Sequence, residues 1–147
     1  MSNNSFHKYT LYSQGVLRIM AGLLFTQHGL QKYFQYPPGG HQQGEFKLFS
    51  LFGAAGTLEL FGGLLIVLGL FTRPVAFLLA GEMAVAYWMI HFPAGLTMNA
   101  GFFPVVNGGD LAILFCFTFL HLAVAGPGAW YVGTAAGRTK VNVENDK

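Results

Sequence analysis

Charge is what this sequence has least of. Asp, Glu, Lys and Arg together make up 10% of its 147 residues, against roughly 25% in an average soluble domain. An ordinary soluble chain is excluded, and so is a disordered one. The formal net charge is only +2, and the basic residues are too scattered to form a phosphate-binding stripe, so nucleic acid is excluded as a partner. Cysteine is almost as scarce. Cys116 stands alone, which removes a disulfide scaffold, a thiolate zinc site and a CxxC redox centre. There is no self-contained catalytic motif and no intrinsic metal or flavin motif, so any redox chemistry must come from a cofactor brought to the chain. The N-terminal MSNNSFHKYT is polar and lacks the basic, apolar and small-residue order of a cleaved signal. The first apolar run is therefore expected to serve as its own insertion signal.

Long apolar runs stand in place of charge. Hydrophobic residues reach 53%, with Phe alone at 15 copies. Residues 53–91 read GAAGTLELFGGLLIVLGLFTRPVAFLLAGEMAVAYWMIH, two runs folded back at 70–74, each with one acid near its middle: Glu59 and Glu82. Leu, Phe, Ile, Val, Ala and Gly surround both acids on every side of the helix. A helix apolar all round is either the core of a large protein or a membrane span, and this chain is too short to build so large a core. The pattern predicts a membrane hairpin holding buried carboxyls.

Four spans are expected, at about 12–33, 49–70, 74–92 and 110–125, each close to the roughly 20 residues a bilayer requires. Breakers separate them: Tyr36-Pro37-Pro38-Gly39-Gly40, Arg73-Pro74, the stretch 93–109, and Gly126-Pro127-Gly128. The fourth covers only about 24 Å, so it lies near the bilayer normal or is helped by 102–106 at the interface. The expected fold is all-α, an integral membrane four-helix bundle over 12–128, with a polar N-terminal segment 1–11 and a polar tail 129–147. Lys8, Arg73, Arg138, Lys140 and Lys147 share one side, and Lys32 and Lys47 are alone on the other. By the positive-inside rule both termini are expected to be cytoplasmic.

Lipid gives helices no hydrophobic reason to associate, so small residues and polar contacts decide which pack together. Gly15, Gly22 and Gly29 recur every seven residues, with Arg18 and Thr26 within about 40° of that line at 100° per residue. In the second span Ala55, Gly56, Gly62 and Gly63 lie within about 60° of Glu59. These seams predict that spans one and two are neighbours and that Arg18 faces Glu59, although their Cα levels differ by roughly 7 to 8 Å. On the fourth span Asp110, Leu114, Phe117, Thr118, His121 and Ala125 share a face, which directs His121 inward if that face meets the bundle. The face of Glu82 (Val75, Leu78, Leu79, Val85, Ala86, Met89) offers no glycine groove and no polar neighbour. His28 and Lys32 stand one turn apart, at the level where Asn107-Gly108-Gly109-Asp110 opens the fourth span, and form an expected outer polar mouth.

Ionisable residues inside spans cost roughly 2.5 to 3.5 kcal/mol at mid-membrane on the insertion scale and mark function by default. On that ground Arg18, Glu59, Glu82 and His121 are candidates for binding or proton relay. Each also has a purely structural reading. Arg18 and Glu59 would be an ion pair locking two helices, and Glu82 a neutral acid bonded to a backbone carbonyl. His28 and His121 would be satisfied interface histidines. They lie at different depths, which rules out a two-histidine haem site. Lys32 would snorkel to the headgroups, and Asp110 would cap its helix at the positive end of the dipole. Tyr33, Tyr36, Trp88, Trp130 and Tyr131 read as interfacial aromatic belts.

Several residues together resemble a known family. They are Leu17-Arg18, His28-Gly29 with Lys32, Glu59 followed by Gly62-Gly63 and Gly69, Thr72-Arg73, Asn107-Gly108-Gly109 and Gly126-Pro127-Gly128. In this order across 12–128 they look like the DoxX family of small bacterial membrane proteins. Two features depart from the pattern: Asp110 directly follows the Asn-Gly-Gly turn where a Glu slightly further on is usual, and Ala129-Trp130-Tyr131 replaces a frequent Ser-Leu-Asp. The resemblance implies a multi-pass protein of the bacterial cytoplasmic (inner) membrane. The family takes its name from a membrane component of a thiosulfate:quinone oxidoreductase, and other members are linked to oxidative-stress complexes. Thiosulfate oxidation itself does not carry over, since no catalytic residue of that enzyme matches a position here.

Three functions follow as expectations. The first is an accessory or subunit of a quinone-linked redox system, partnered by membrane lipid and other membrane or redox proteins. In it Arg18, Glu59 and His121 hold a quinone head and Glu82 relays protons. The second is a non-enzymatic membrane scaffold. The third is a small-solute carrier or channel using the polar mouth, with a homo-oligomer supplying the room that four short spans lack.

Overall fold

The computed structural model describes residues 3–38, 49–97 and 102–132. Lys47, Arg138, Lys140 and Lys147, on which the expected orientation partly rests, lie outside the described residues. Every regular element described is helical. Helix α1 is Asn3–Phe34, unbroken because the first proline of the chain is Pro37. Helix α2 spans Leu51–Leu68 and begins at Ser50, whose hydroxyl accepts the Gly53 N–H at 3.0 Å. Its middle turn, Leu58–Gly62, is π-helical. The helix closes on Gly69 at φ +74°, the left-handed conformation that only glycine adopts without penalty.

Helix α3 spans Thr72–Thr97, with Pro74 in a first turn whose N–H groups have no intrahelical partner to lose. Pro93, expected to break the chain, lies inside this helix. The π-helical turn Tyr87–His91 precedes it, and this wider turn lets the ladder pass a residue that has no N–H to give. One further turn, α4 at Pro104–Asn107, ends on Gly108 at φ +71°. Helix α5 is Asp110–Ala125. By length and composition α2 and α3 could each cross a membrane, and α5 is apolar but shorter.

Helix α1 packs along α2, α3 packs along α5, and α2 meets α3. The glycine seam between α1 and α2 is present. A Cβ on Gly22 would sit 2.9 Å from the Gly63 carbonyl oxygen, one on Gly63 would sit 2.5 Å from Thr26 Oγ1, and one on Gly29 would collide with the Leu60 backbone. Gly62 departs from that seam. Its Cβ would meet Leu79 of α3 at 2.8 Å, because the π turn rotates the helix off the 100° phase that grouped it with Gly63.

Phe25, Ile66, Leu79, Phe119 and Leu122 are fully buried at the centre. Phe25 bridges α1 to α5, with ring centroids 5.3 Å from Phe115 and 4.8 Å from Phe119. Helix α5 therefore turns Ala112, Phe115, Phe119 and Leu122 inward. The expected inward stripe of Leu114, Phe117, His121 and Ala125 is exposed instead. The polar residues Asp110 and His121 both lie on the outward face of this helix, and the inward face is the one whose phenyl rings fit around Phe25. The outside of the molecule is apolar too, with Phe77, Leu78, Val85, Trp88 and Met89 exposed along α3.

Candidate functional site

Arg18 does not meet Glu59. Its side chain is fully buried, and all five guanidinium N–H groups go to backbone carbonyls. Nε donates to Pro127 at 2.8 Å, Nη1 to Ile66 at 2.6 Å and Val67 at 2.5 Å, and Nη2 to Ala129 at 3.1 Å and Trp130 at 2.8 Å. Ile66 and Val67 lie in the last turn of α2, where helix-end carbonyls and the negative end of the helix dipole favour a cation. They stand seven and eight residues beyond Glu59, about 10 to 12 Å further along the axis. The register of α1 on α2 thus puts the guanidinium well past the acid.

The remaining three carbonyls belong to the strap 126–132. Gln14 Nε2 donates to the Gly126 carbonyl at 2.6 Å, Ala129 N–H to Leu11 and Val132 N–H to Leu68, both at 2.9 Å, and Trp130 stacks on Tyr12 at 5.1 Å. Gly15 and Gly128 let the strap lie directly on α1, since a Cβ on either would strike backbone of the other segment. The Ala-Trp-Tyr sequence after Gly128 is therefore part of the packed structure.

Glu59 is paired with Lys32, the residue expected to snorkel. Lys32 Nζ lies 2.6 Å from Glu59 Oε1 and 5.1 Å from the centre of the Phe52 ring. The opening turns of α2 place the acid there. Gly29 lets the Leu60 backbone close on α1, Tyr33 Oη sits 2.5 Å from Thr57 Oγ1, and Glu59 falls between these two contacts on the π turn. π turns recur at functional sites in helical proteins.

Helix α3 brings Glu82 to the same level. Leu79 packs on Gly62, and in antiparallel helices the step from Gly62 back to Glu59 matches the step from Leu79 on to Glu82. On α3 the i, i+3 spacing keeps Leu79 and Glu82 on one side of the helix. The Glu82 carboxyl lies within electrostatic reach of both Glu59 and Lys32. Glu59 Oε2 and both carboxyl oxygens of Glu82 are buried without a hydrogen-bond partner. Buried polar atoms are rarely left so, and three at one level mark a place where donors are wanted.

The other candidates lie apart. His121 is exposed on the outer face of α5. A buried cluster of Arg18, Glu59 and His121 is therefore not formed. His28 is also exposed, one turn from Lys32, and meets the Phe115 ring edge-on at 6.0 Å. Lys32 turns to Glu59 rather than to Asp110. Asp110 is exposed in the first turn of α5, one residue inside the Gly109 N-cap. Asn107 is buried, its Oδ1 accepting the Gly109 N–H at 2.9 Å, and its carbonyl lies 3.3 Å from His91 Nδ1. Among the described residues, no three His, Cys, Asp or Glu side chains gather as a metal site would require.

These features define a class: a small protein of apolar helices with an apolar exterior and ionisable side chains set between the helices. The chain belongs to the DoxX family, which it matches over residues 14–92. It is 38% identical over 130 residues to an uncharacterized protein of Haemophilus influenzae, covering 86% of this chain and 92% of that one. It is 29% identical over 134 residues to a Bacillus subtilis protein named "Putative oxidoreductase CatD", covering 84% of each. It is 28% identical over 123 residues to an uncharacterized membrane protein of Mycobacterium tuberculosis, covering 78% of this chain and 75% of that one. No solved structure matches the chain.

Proposed function

We propose that this chain is a multi-pass protein of the bacterial cytoplasmic membrane that serves as an accessory or subunit of a quinone-linked redox system, with Lys32, Glu59 and Glu82 as its ligand- and proton-handling site. The apolar side chains exposed along α3 and the length of α2 and α3 support membrane embedding. So does the name of the mycobacterial relative. Lys8 near the start of α1 and Arg73 at the α2–α3 turn favour cytoplasmic termini. The name of the Bacillus relative supports a redox role. The observation that carries the reading is the group of three buried, unpartnered carboxyl oxygens of Glu59 and Glu82, across from one lysine.

A quinone's carbonyl oxygens accept hydrogen bonds and the hydroxyls of its reduced form also donate them; the residues at this level supply one ammonium that donates and carboxyl oxygens that accept. Arg18 has no free donor for it and His121 does not face it. The test is mass spectrometry of small molecules co-purifying with the detergent-solubilised protein. Quinone is expected in the wild type and is expected to fall at least about tenfold in Glu59→Gln, the scale of losing a charged hydrogen bond. A clean wild-type protein would remove the reading.

Arg18 favours a second reading, a membrane scaffold for partner proteins, because its bonds serve only to hold helices and strap together. On that reading Glu59→Gln lowers abundance and changes no ligand.

A further inference from the structure

We infer that the Lys32–Glu59–Glu82 level selects the reduced, dihydroxy form of a quinone over the oxidised, dicarbonyl form. This rests on the quinone-linked reading above and specifies which redox state that site holds. The argument is one of donors and acceptors. Glu59 is 4% exposed and its Oε1 is taken by Lys32 at 2.6 Å. Its Oε2 is buried and unpartnered. A carboxylate held by an ammonium accepts hydrogen bonds and donates none, so whatever lies against Oε2 must bring a proton of its own.

A phenolic hydroxyl meets that requirement whatever the state of Glu82. It donates to Glu59 Oε2 and, having lone pairs as well, also accepts from Glu82 if that acid carries a proton. A second hydroxyl donates to Glu82 if it does not. A quinone carbonyl meets the requirement in neither case, since it offers only lone pairs and leaves Oε2 buried and unpaired. The spare N–H groups of Lys32 do not correct this, because they satisfy the ligand's oxygen and not the carboxylate's. Sites that hydrogen-bond a substrate hydroxyl discriminate strongly against the analogue lacking it, because their own buried polar group is then stranded.

The experiment titrates the full-length, detergent-purified protein anaerobically with a short-chain benzoquinone and, separately, with its hydroquinone, reading heat by calorimetry. The hydroquinone is expected to bind at least about tenfold more tightly. In Glu59→Gln, whose amide can donate as well as accept, hydroquinone affinity is expected to fall at least about tenfold and the preference for the reduced form to be lost. Should that variant fail to fold, the wild-type ratio decides alone. Equal binding of the two forms, or tighter binding of the quinone, would overturn this inference and leave the quinone-linked reading standing. Binding of neither form would overturn both.

Discussion

Lys32 Nζ and Glu59 Oε1 stand 2.6 Å apart, joining the last turn of α1 to the π turn of α2. The lysine side chain keeps 23% of its surface open and the glutamate 5%, so the pair is buried on one side only. Breaking it is costly because the survivor is stranded, whereas removing both partners is much less so. Lys32→Met is expected to destabilise the protein by about 3 kcal/mol, the low end of the range for buried pairs because the lysine is partly solvated. Lys32→Met combined with Glu59→Leu is expected to recover at least half of that. Thermal unfolding of the single and double variants in one detergent checks it.

Arg18 and Glu59 belong to separate networks, the first bonded only to carbonyls and the second to Lys32. Arg18→Lys replaces five fixed donors by three and is expected to cost about 2 to 4 kcal/mol by leaving buried carbonyls unpaired. Limited proteolysis should then open the strap 126–132 first. The effects of Arg18→Lys and Glu59→Gln are expected to add to within about 0.5 kcal/mol, as for independent sites. A coupling well above 1 kcal/mol would mean that the two side chains meet after all.

What the sequence made legible, and what it did not, divides along physical lines. Helices announced themselves as long apolar runs, and the α1–α2 contact as recurrent glycine, because close approach admits few residue types. Arg18's true partners were hidden, since backbone carbonyls are contributed by every residue and leave no compositional mark. The pairing of Lys32 with Glu59 was hidden because a lysine near a helix end ordinarily reaches for water. The register that denies it this depends on Gly29 closing on Leu60. The π turns at Leu58–Gly62 and Tyr87–His91 upset any wheel drawn at constant pitch, moving Gly62 off the Glu59 line and towards Leu79. They also carry α3 past Pro93. On α5 the face carrying Asp110 and His121 was expected to turn inward, and packing of Phe115 and Phe119 against Phe25 turns the other face in instead.

The seam between α1 and α2 has its own test. Gly29→Ala would drive a methyl into the Leu60 backbone, which neither helix can yield without separating. A loss of about 2 to 3 kcal/mol is expected, the range of overpacking in a tight core. Gly81 is the internal control, with nothing within 4 Å of the position a Cβ would take. Gly81→Ala is expected to be neutral or to gain up to about 1 kcal/mol from helix propensity. Unfolding midpoints of the two variants decide it.

Glu82 and His121 were both candidates by residue type, and the structure gives them opposite expectations. His121 is exposed on the outer face of α5, so His121→Ala is expected to change stability by less than about 0.5 kcal/mol and to leave co-purifying quinone unchanged. Glu82 holds two buried oxygens with no partner, an arrangement that costs stability and persists where function requires it. Glu82→Leu removes both oxygens at similar volume and is expected to leave the protein as stable or about 1 to 2 kcal/mol more stable. Bound quinone should fall at the same time. Stability and ligand moving in opposite directions is the signature of a functional carboxyl, whereas a merely structural one would lose both together. Unfolding midpoint and mass spectrometry on the same Glu82→Leu preparation separate the two.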